Sequence, residues 1–483
     1  MKLTELIAGL NVSGVTGGTG IEVRGITKDS RKVEEGYMFF STDMNEKYIE
    51  HARSRGAAVI VSEAPVKAPF ACAVTTDDPK ALLGNVAARY YGYPSRALHV
   101  TGITGTNGKT TTSYLIDSML RSAGRKTGLI GTISYRYGGR TLKAENTTPG
   151  ADDLHKLLSD MKASGAEYAV MEVSSHALDQ KRVEGVDFDT AVFTNLTHDH
   201  LDYHGTLENY RTAKKLFFTY YLKKSAKKER CAILNADEPG WRELIPEAPI
   251  RTLAYSIRNA ADAYLTAYHE GIDGLKLEVS LAGIKMSVKS PLIGAFNASN
   301  ILAASLAGHA AGLSHEQIAQ GVESLEGVPG RLERVKTGKG FPVFIDYAHT
   351  PDALKKVLEM LNSLKKGRLI VVFGCGGDRD KAKRPVMGSI ASNYADYAII
   401  TSDNPRSEDP MKIIEDVRKG FDANSYRIVE NRRDAISEGI MMAENNDVLL
   451  IAGKGHEDYQ IIGDKVYHFS DREVVEELIG VAR

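Results

Sequence analysis

Short apolar runs, each followed by a polar loop, recur along most of this chain. Leu98-His99-Val100-Thr101-Gly102-Ile103, Tyr168-Ala169-Val170-Met171 and Phe188-Asp189-Thr190-Ala191-Val192-Phe193 have the length and composition of buried strands. So do Leu369-Ile370-Val371-Val372-Phe373, Tyr397-Ala398-Ile399-Ile400 and Asp447-Val448-Leu449-Leu450-Ile451-Ala452. Between runs the spacing turns helical: Leu115, Ile116, Met119 and Leu120 share one face. Strand and helix patterns in alternation predict α/β layers with mostly parallel sheets. In such sheets ligands sit beyond the carboxyl ends of the strands. The alternation breaks at Tyr90-Tyr91-Gly92-Tyr93-Pro94-Ser95 and again at Gly327-Val328-Pro329-Gly330. Those breaks predict three domains, at about 1–97, 98–329 and 330–483.

The first run leads into Thr104-Gly105-Thr106-Asn107-Gly108-Lys109-Thr110-Thr111 and then into the helical face. This is the strand–loop–helix setting of a phosphate loop. Glycines let backbone N–H groups wrap phosphate oxygens, and the helix N-terminus adds positive potential. Gly105, Thr106, Asn107, Gly108 and Thr111 are the expected nucleotide contacts, with Lys109 at the β/γ-phosphates and the Thr110 hydroxyl at Mg²⁺. The strict pattern wants glycine where Ile103 stands; glycines at 102 and 105 make the loop a variant.

Glu172 ends the second run, and Asn195-Leu196-Thr197-His198-Asp199-His200-Leu201-Asp202-Tyr203-His204 follows the third. Glu172 and the 198–204 cluster are expected beyond strand ends, beside the phosphate loop. Carboxylate, hydroxyl and imidazole groups suit Mg²⁺ or Mn²⁺ shared with nucleotide phosphates. Zinc stays open for the histidine-rich stretch, although it lacks thiols.

Nearer the carboxyl end one arrangement occurs three times. The strands deliver Gly374-Cys375-Gly376-Gly377-Asp378-Arg379, Thr401-Ser402-Asp403-Asn404-Pro405-Arg406 and Gly453-Lys454-Gly455-His456-Glu457 to one expected sheet edge. Asp-Asn-Pro alone is ordinary turn chemistry. Together the loops carry Arg379, Asn404, Arg406 and Glu457, a set suited to a ligand with carboxylates and an ammonium group.

Composition trims the range of partners. Lys plus Arg is 61 against 62 Asp plus Glu, which gives no global field for nucleic acid or an anionic membrane. No run approaches a membrane span, and the N-terminus lacks the apolar core of a signal peptide. Cys72, Cys231 and Cys375 are odd in number and far apart, which points away from disulfides and towards a reducing cytoplasm.

TGTNGKTT, MEVSSHAL, NLTHDHLDYHG with Tyr210 and Ala213-Lys214, FNASNILAA, PGRLE and DYAHTPD follow one another along the chain. In these motifs and their order the chain resembles the Mur ligase family, ATP-dependent enzymes that build the peptide stem of peptidoglycan. The resemblance covers nearly the whole chain. It implies an α/β protein of three domains: a smaller N-terminal uridine-binding domain, a central P-loop ATPase-like domain with a mostly parallel sheet, and a C-terminal Rossmann-like domain that binds an amino acid. The branch it resembles most adds the third amino acid to UDP-MurNAc-L-Ala-D-Glu. There ATP phosphorylates the D-Glu γ-carboxylate, the incoming amine attacks the acyl phosphate, and phosphate leaves.

Residue roles follow from the same resemblance. Lys109, His200 and Lys214 form the implied catalytic group. Glu172, His200 and Thr110 are implied Mg²⁺ ligands, joined by Lys214 once carbamylation has turned it into an anion. Read without the family, Lys214 beside Lys215 is a solvated helix lysine. Asn297 and Asn300 are implied near the base, Arg331 at phosphate and Asp346 at the ribose, with Tyr347 and His349 as secondary candidates. Ser30 is implied at uridine, and Asn146, Thr147, Thr148, Ser174, Gln180 and Arg182 at the muramyl peptide. Where relatives carry an Asp-Gly-His stretch, this chain reads Ser41-Thr42-Asp43-Met44-Asn45-Glu46-Lys47-Tyr48. Asp403-Asn404-Pro405-Arg406 matches the recognition motif of the diaminopimelate-adding branch, with Arg379, Gly453 and Glu457 in the same pocket. Meso-diaminopimelate has two carboxylates and two ammonium groups. Lysine has no distal carboxylate and would leave Arg406 unmatched. A lysine-adding ligase, a folylpolyglutamate-type synthetase, a P-loop phosphotransferase and a non-catalytic nucleotide switch remain alternatives. A cytoplasmic monomer without nucleic-acid or membrane partners is expected.

Overall fold

The computed structural model describes residues 1–67, 69–197, 199–247, 249–422 and 425–480. These divide into two compact units. The first comprises Met1–Ala267, Leu277–Val288 and Phe296–Ser324; the second comprises Tyr268–Lys276, Lys289–Ala295 and Leu325–Arg483. The break near residue 95 lies inside the first unit, between its two sheets.

The smaller sheet orders its strands Gly14–Gly17, Cys72–Thr75, Val59–Ser62, Tyr37–Phe40, Gly25–Thr27. The first pair is antiparallel and the others are parallel. Alternate residues of a strand point to opposite faces. Val59 and Val61 accordingly pack with Leu82, Leu83 and Val86 of helix Pro79–Tyr90, whereas Ile60 packs with Ile49 and Ala52 of helix Glu46–Ser54. Edge strand Gly25–Thr27 is held from outside its sheet. Asp152, in the first turn of helix Ala151–Ala163, accepts from Thr27 Oγ1 at 3.2 Å and from Lys28 N at 3.1 Å.

Six parallel strands form the centre of the larger sheet, in the order Arg251–Ser256, Cys231–Asn235, Thr190–Phe193, His99–Thr104, Tyr168–Glu172, Thr127–Ile130. The inner strands are buried along almost their whole length, as expected when both faces are covered. Gly102 sits inside strand His99–Thr104, where a Cβ would meet the Phe188 ring at 2.8 Å. Its glycine serves packing against Phe188 and Phe217, so only Gly105 and Gly108 shape the loop that follows.

In the second unit the sheet order is Glu333–Val335, Val343–Asp346, Val448–Ala452, Leu369–Phe373, Tyr397–Ile400, Tyr426–Ile428. All pairs but the first are parallel. Helices cover both faces. Val371 and Phe373 join Leu354, Leu358, Met387 and Ile413 on one side; Ile370 and Val372 join Ile436, Val474 and Val475 on the other. Phe373 is in register with both Ile400 and Ala452, and Ala452 with Asp346. Four strand ends therefore stand level, and the loops leaving them share one edge.

Candidate active site

Helix Lys109–Ser122 begins at Gly108, whose φ is +85°, and no side chain caps it. The N–H groups of its first turn are therefore directed at the loop Gly105–Gly108, the arrangement that receives an anion. A neighbouring strand end supports this loop. Thr194 Oγ1 donates to Asn107 O at 2.6 Å, and Asn195 Oδ1 accepts from Asn107 N at 2.9 Å. The Thr106 hydroxyl meets the Tyr210 hydroxyl at 3.1 Å and accepts from Thr197 N. Asn300, from helix Ala295–Ala310, donates to Asn297 Oδ1 at 3.0 Å. A Cβ on Gly108 would overlap the Asn300 amide, so Gly108 is required for both space and backbone conformation. Lys109 Nζ curls back onto Gly105 O and Thr106 O, at 2.8 and 2.9 Å.

Glu172 is buried at the end of its strand. It accepts from Thr110 Oγ1 at 3.0 Å, from Thr132 N at 2.8 Å and from Thr132 Oγ1 at 3.0 Å. The helix's Thr110 and the strand's Glu172 are thus brought together as the sequence suggested. Thr132 had no motif to announce it, although its place just past strand Thr127–Ile130 obeys the same strand-end rule.

The muramyl-peptide candidates continue from Glu172. Thr132 Oγ1 meets Thr147 Oγ1 at 3.0 Å, and Thr148 Oγ1 donates to Glu172 O at 2.9 Å and accepts from Ser174 N. Arg182 donates to Thr148 O and to Gln180 Oε1, and Gln180 donates to Tyr203 OH. The Asn146 carbonyl accepts from Tyr135 OH at 2.6 Å. Ser30 stands apart from these. It is buried in a short turn, 3.0 Å from His51 Nδ1. A cleft of about 580 Å³ is lined by Thr27, Lys32, Tyr37, Tyr91, Asn146 and Asp152 among others, but not by Ser30.

Lys214 departs from its bland reading. It is 1% exposed, on helix Leu207–Leu216, with Nζ 4.4 Å from the Tyr210 ring centroid. Burial, reinforced by the charge of Lys109, pushes its pKa well below the ordinary lysine value. Nearby, His200 adopts a left-handed φ of +53°, its ring 4.9 Å from that of His176 and 6.0 Å from that of Tyr210. Burial also lowers the His200 pKa, so its imidazole favours the neutral form a ligand or acceptor needs. His198 lies outside the described residues. Among the described residues no group of three or more His, Cys, Asp and Glu side chains is arranged to hold a metal by itself.

The second unit gathers the carboxyl-terminal candidates. Gly376 and Gly377 let the Asp403–Arg406 loop approach closely: a Cβ on Gly377 would overlap Pro405 O, and Gly377 N donates to Asn404 O at 2.9 Å. Arg406 NH1 donates to Gly377 O at 2.8 Å. Asn404 Nδ2 donates to Glu457 Oε2 at 2.9 Å, and Lys454 Nζ donates to Asn404 Oδ1 at 3.1 Å. Burial raises the Glu457 pKa. Arg406 has a φ of +52°, secured by a hairpin of strands Tyr459–Ile462 and Lys465–His468. Arg406 N donates to Ile461 O, Gly463 N donates to Arg406 O, and Gln460 Nε2 donates to Asp403 O at 2.7 Å. This hairpin was not among the expected elements, although Gly463-Asp464 between two short strand-like runs is a two-residue hairpin signal. Asp403 touches the next loop through Gly453, whose Cβ would lie 2.8 Å from Asp403 Oδ2. Arg379 is exposed at the rim and donates to Asp378 O.

Below the loops Arg432 and Asp471 form an ion pair with 0% exposure on both side chains, at 2.7 Å. Arg432 also donates to Ala452 O at 3.0 Å and to Ser402 O at 3.5 Å, which joins two of the loop bases. On the same unit Arg331 lies 4.9 Å from the Tyr347 ring centroid. Asp346 accepts from Leu332 N and Ala348 N, one bond to each oxygen, so its carboxylate also shapes the loop it was expected to serve.

Comparison with known proteins identifies the family. Residues 103–308 match the Mur ligase middle domain, and residues 330–455 match the family described as Mur ligase, glutamate ligase domain. UDP-N-acetylmuramoyl-L-alanyl-D-glutamate--2,6-diaminopimelate ligase of Geobacter metallireducens is 43% identical over 98% of both chains. The Bacillus cereus protein of that name is 42% identical over 99% of this chain and 98% of its own. A solved structure of a diaminopimelate ligase of the same name is 33% identical, with a TM-score of 0.73 over 99% of each chain. Folylpolyglutamate synthase of Mycobacterium tuberculosis shares the fold at 18% identity and a TM-score of 0.63, covering 82% of this chain and 94% of its own. On this extent of identity, the chain belongs to the Mur ligase family.

Proposed function

We propose that this enzyme is an ATP-dependent ligase that adds meso-diaminopimelate to the D-Glu of UDP-MurNAc-L-Ala-D-Glu, in the synthesis of peptidoglycan precursors. The observation that carries the substrate choice is the meeting of Arg406, Asn404 and Glu457 at one sheet edge. Relatives with that activity in their names match over the full length. Lysine could pair with Glu457 but would leave Arg406 without a distal carboxylate.

The γ-phosphoryl group of ATP passes to an oxygen of the D-Glu γ-carboxylate, giving an acyl phosphate and ADP. The amine of diaminopimelate attacks the carbonyl carbon, the C–N bond forms, the amine loses a proton and phosphate departs. The loop Gly105–Gly108 and the helix it opens bind the ATP phosphates, and Lys109 supplies charge there. Asn297 and Asn300 support the nucleotide side of the loop, and Arg331 and Asp346 serve phosphate and ribose. Thr147, Thr148, Ser174, Gln180 and Arg182 orient the muramyl peptide, with Ser30 and Asn146 nearer its nucleotide end. Glu172, Thr110, His200 and a carbamylated Lys214 would hold Mg²⁺. This ion supplies charge neutralisation between two anionic reactants. Burial of the Lys214 amine favours its neutral form, the form that adds CO₂, releasing a proton and leaving a carbamate anion. The three buried, unpaired cysteines support a cytoplasmic setting, and the enzyme is read as a monomer.

The test measures phosphate release from ATP with UDP-MurNAc-L-Ala-D-Glu and a panel of amino acids, with mass analysis of the product. Wild type should require diaminopimelate, and Arg406→Ala should lose most of its use. A preference for lysine, or no effect of Arg406→Ala, would overturn the assignment. A kinase would instead accumulate a stable phosphorylated product without any amino acid.

A further inference from the structure

We infer that Lys454 is a positioning residue for the amino-acid substrate: it fixes which way the Asn404 amide faces and so presents Asn404 and Glu457 to the ligand. This rests on the reading of the second unit as the diaminopimelate site. Lys454 lies between two expected ligand residues of its own loop, Gly453 and Glu457, yet its side chain has 0% exposure. It therefore acts through its neighbours and does not touch substrate.

Its Nζ donates to Asn404 Oδ1 at 3.1 Å and to Glu457 Oε2 at 3.5 Å. A second donor, Ile461 N, reaches the same Oδ1 at 3.0 Å. On its other side Asn404 Nδ2 donates to Glu457 Oε2 at 2.9 Å. The two ends of an asparagine amide are nearly equal in size and opposite in hydrogen-bonding sense. An ammonium group carries only donors, so the end of Asn404 that faces Lys454 must be the oxygen. The NH₂ end is then committed to Glu457, whose carboxylate faces the site. Glu457 also gains a buried positive neighbour, which opposes the rise in its pKa that burial causes. Without Lys454, the amide would keep the Ile461 N–H on its oxygen and Glu457 on its NH₂ end but lose its charged donor, and Glu457 would lose its only cation within 4.0 Å among the described residues. The hairpin contributes through Ile461, so the amide lock joins the GKGHE loop, the Asp403–Arg406 loop and the hairpin.

The experiment measures steady-state constants for wild type, Lys454→Met, Asn404→Ala and the double variant, each with ATP, UDP-MurNAc-L-Ala-D-Glu and diaminopimelate varied in turn. Lys454→Met keeps the buried stem and removes the ammonium. It should raise KM for diaminopimelate about tenfold and leave the KM values of the other two substrates within about twofold. In the Asn404→Ala background the same change should add little, because the amide it orients is gone. Lys454→Gln, which keeps a neutral donor, should fall between wild type and Lys454→Met; it replaces Lys454→Met in the cycle if that variant does not fold. Equal loss for all three substrates, or full additivity with Asn404→Ala, would overturn the inference. A wild-type enzyme that does not couple diaminopimelate would overturn the functional reading, and the inference with it.

Discussion

Thr110 donates its hydroxyl to the Glu172 carboxylate at 3.0 Å, which joins the first turn of the phosphate-loop helix to the end of a parallel strand. Thr132 adds two more bonds to the same carboxylate. A buried carboxylate that accepts three hydrogen bonds is held in one place. Glu172→Gln keeps the shape and removes the charge. It should lower kcat about 100-fold or more and raise the Mg²⁺ concentration needed for half-maximal rate, read from phosphate release across a Mg²⁺ titration.

Lys214 is buried against Tyr210 and depressed in pKa. Intact protein kept at neutral pH with bicarbonate should carry the mass of one added CO₂, and brief acidification should remove it. Lys214→Met should fold with unchanged thermal stability or better, since no buried amine then remains to charge, and should lose the added mass together with activity.

His155 is fully buried on helix Ala151–Ala163, with Nε2 against Glu184 O at 2.9 Å and a pKa held down at about 4 by desolvation. Its folded pKa is below the ordinary 6.5, so between about 6.5 and about 4 the unfolded chain binds more protons. Stability should therefore fall as pH drops through that window, by about 3 kcal/mol from this group. Denaturant titrations at pH 7 and pH 4.5 should show the slope, and His155→Gln should flatten it.

Gly377→Ala would set a methyl group against Pro405 O. The Asp403–Arg406 loop must then shift. KM for diaminopimelate should rise about 10- to 100-fold while KM for ATP holds, a split that steady-state assays would read directly.

Much of this was legible because strand ends and glycine loops are local features. The phosphate loop, Glu172 and the three carboxyl-terminal loops are each contiguous in sequence, and the parallel-sheet rule places them. Lys214 was not legible: Lys214-Lys215 looks solvated, and only the packing of Tyr210 and neighbouring helices buries one of the pair. Thr132, Asn195 and Lys454 were missed for a related reason. Each acts on a partner far along the chain, and no spacing encodes such a contact. Gly102 was read as part of a variant phosphate loop, whereas its space is taken by Phe188 and Phe217, more than 80 residues away.

The Arg432–Asp471 pair lies beneath the loops and out of reach of any ligand. Because it grips backbone carbonyls, it constrains the roots of two loops without constraining the identity of the residues at their tips. Substitutions at the tips can then alter which amino acid is accepted while the roots stay in register. A lineage could exchange one stem residue for another by changing a few side chains such as Arg406, and the cross-linking chemistry of its cell wall would change with them.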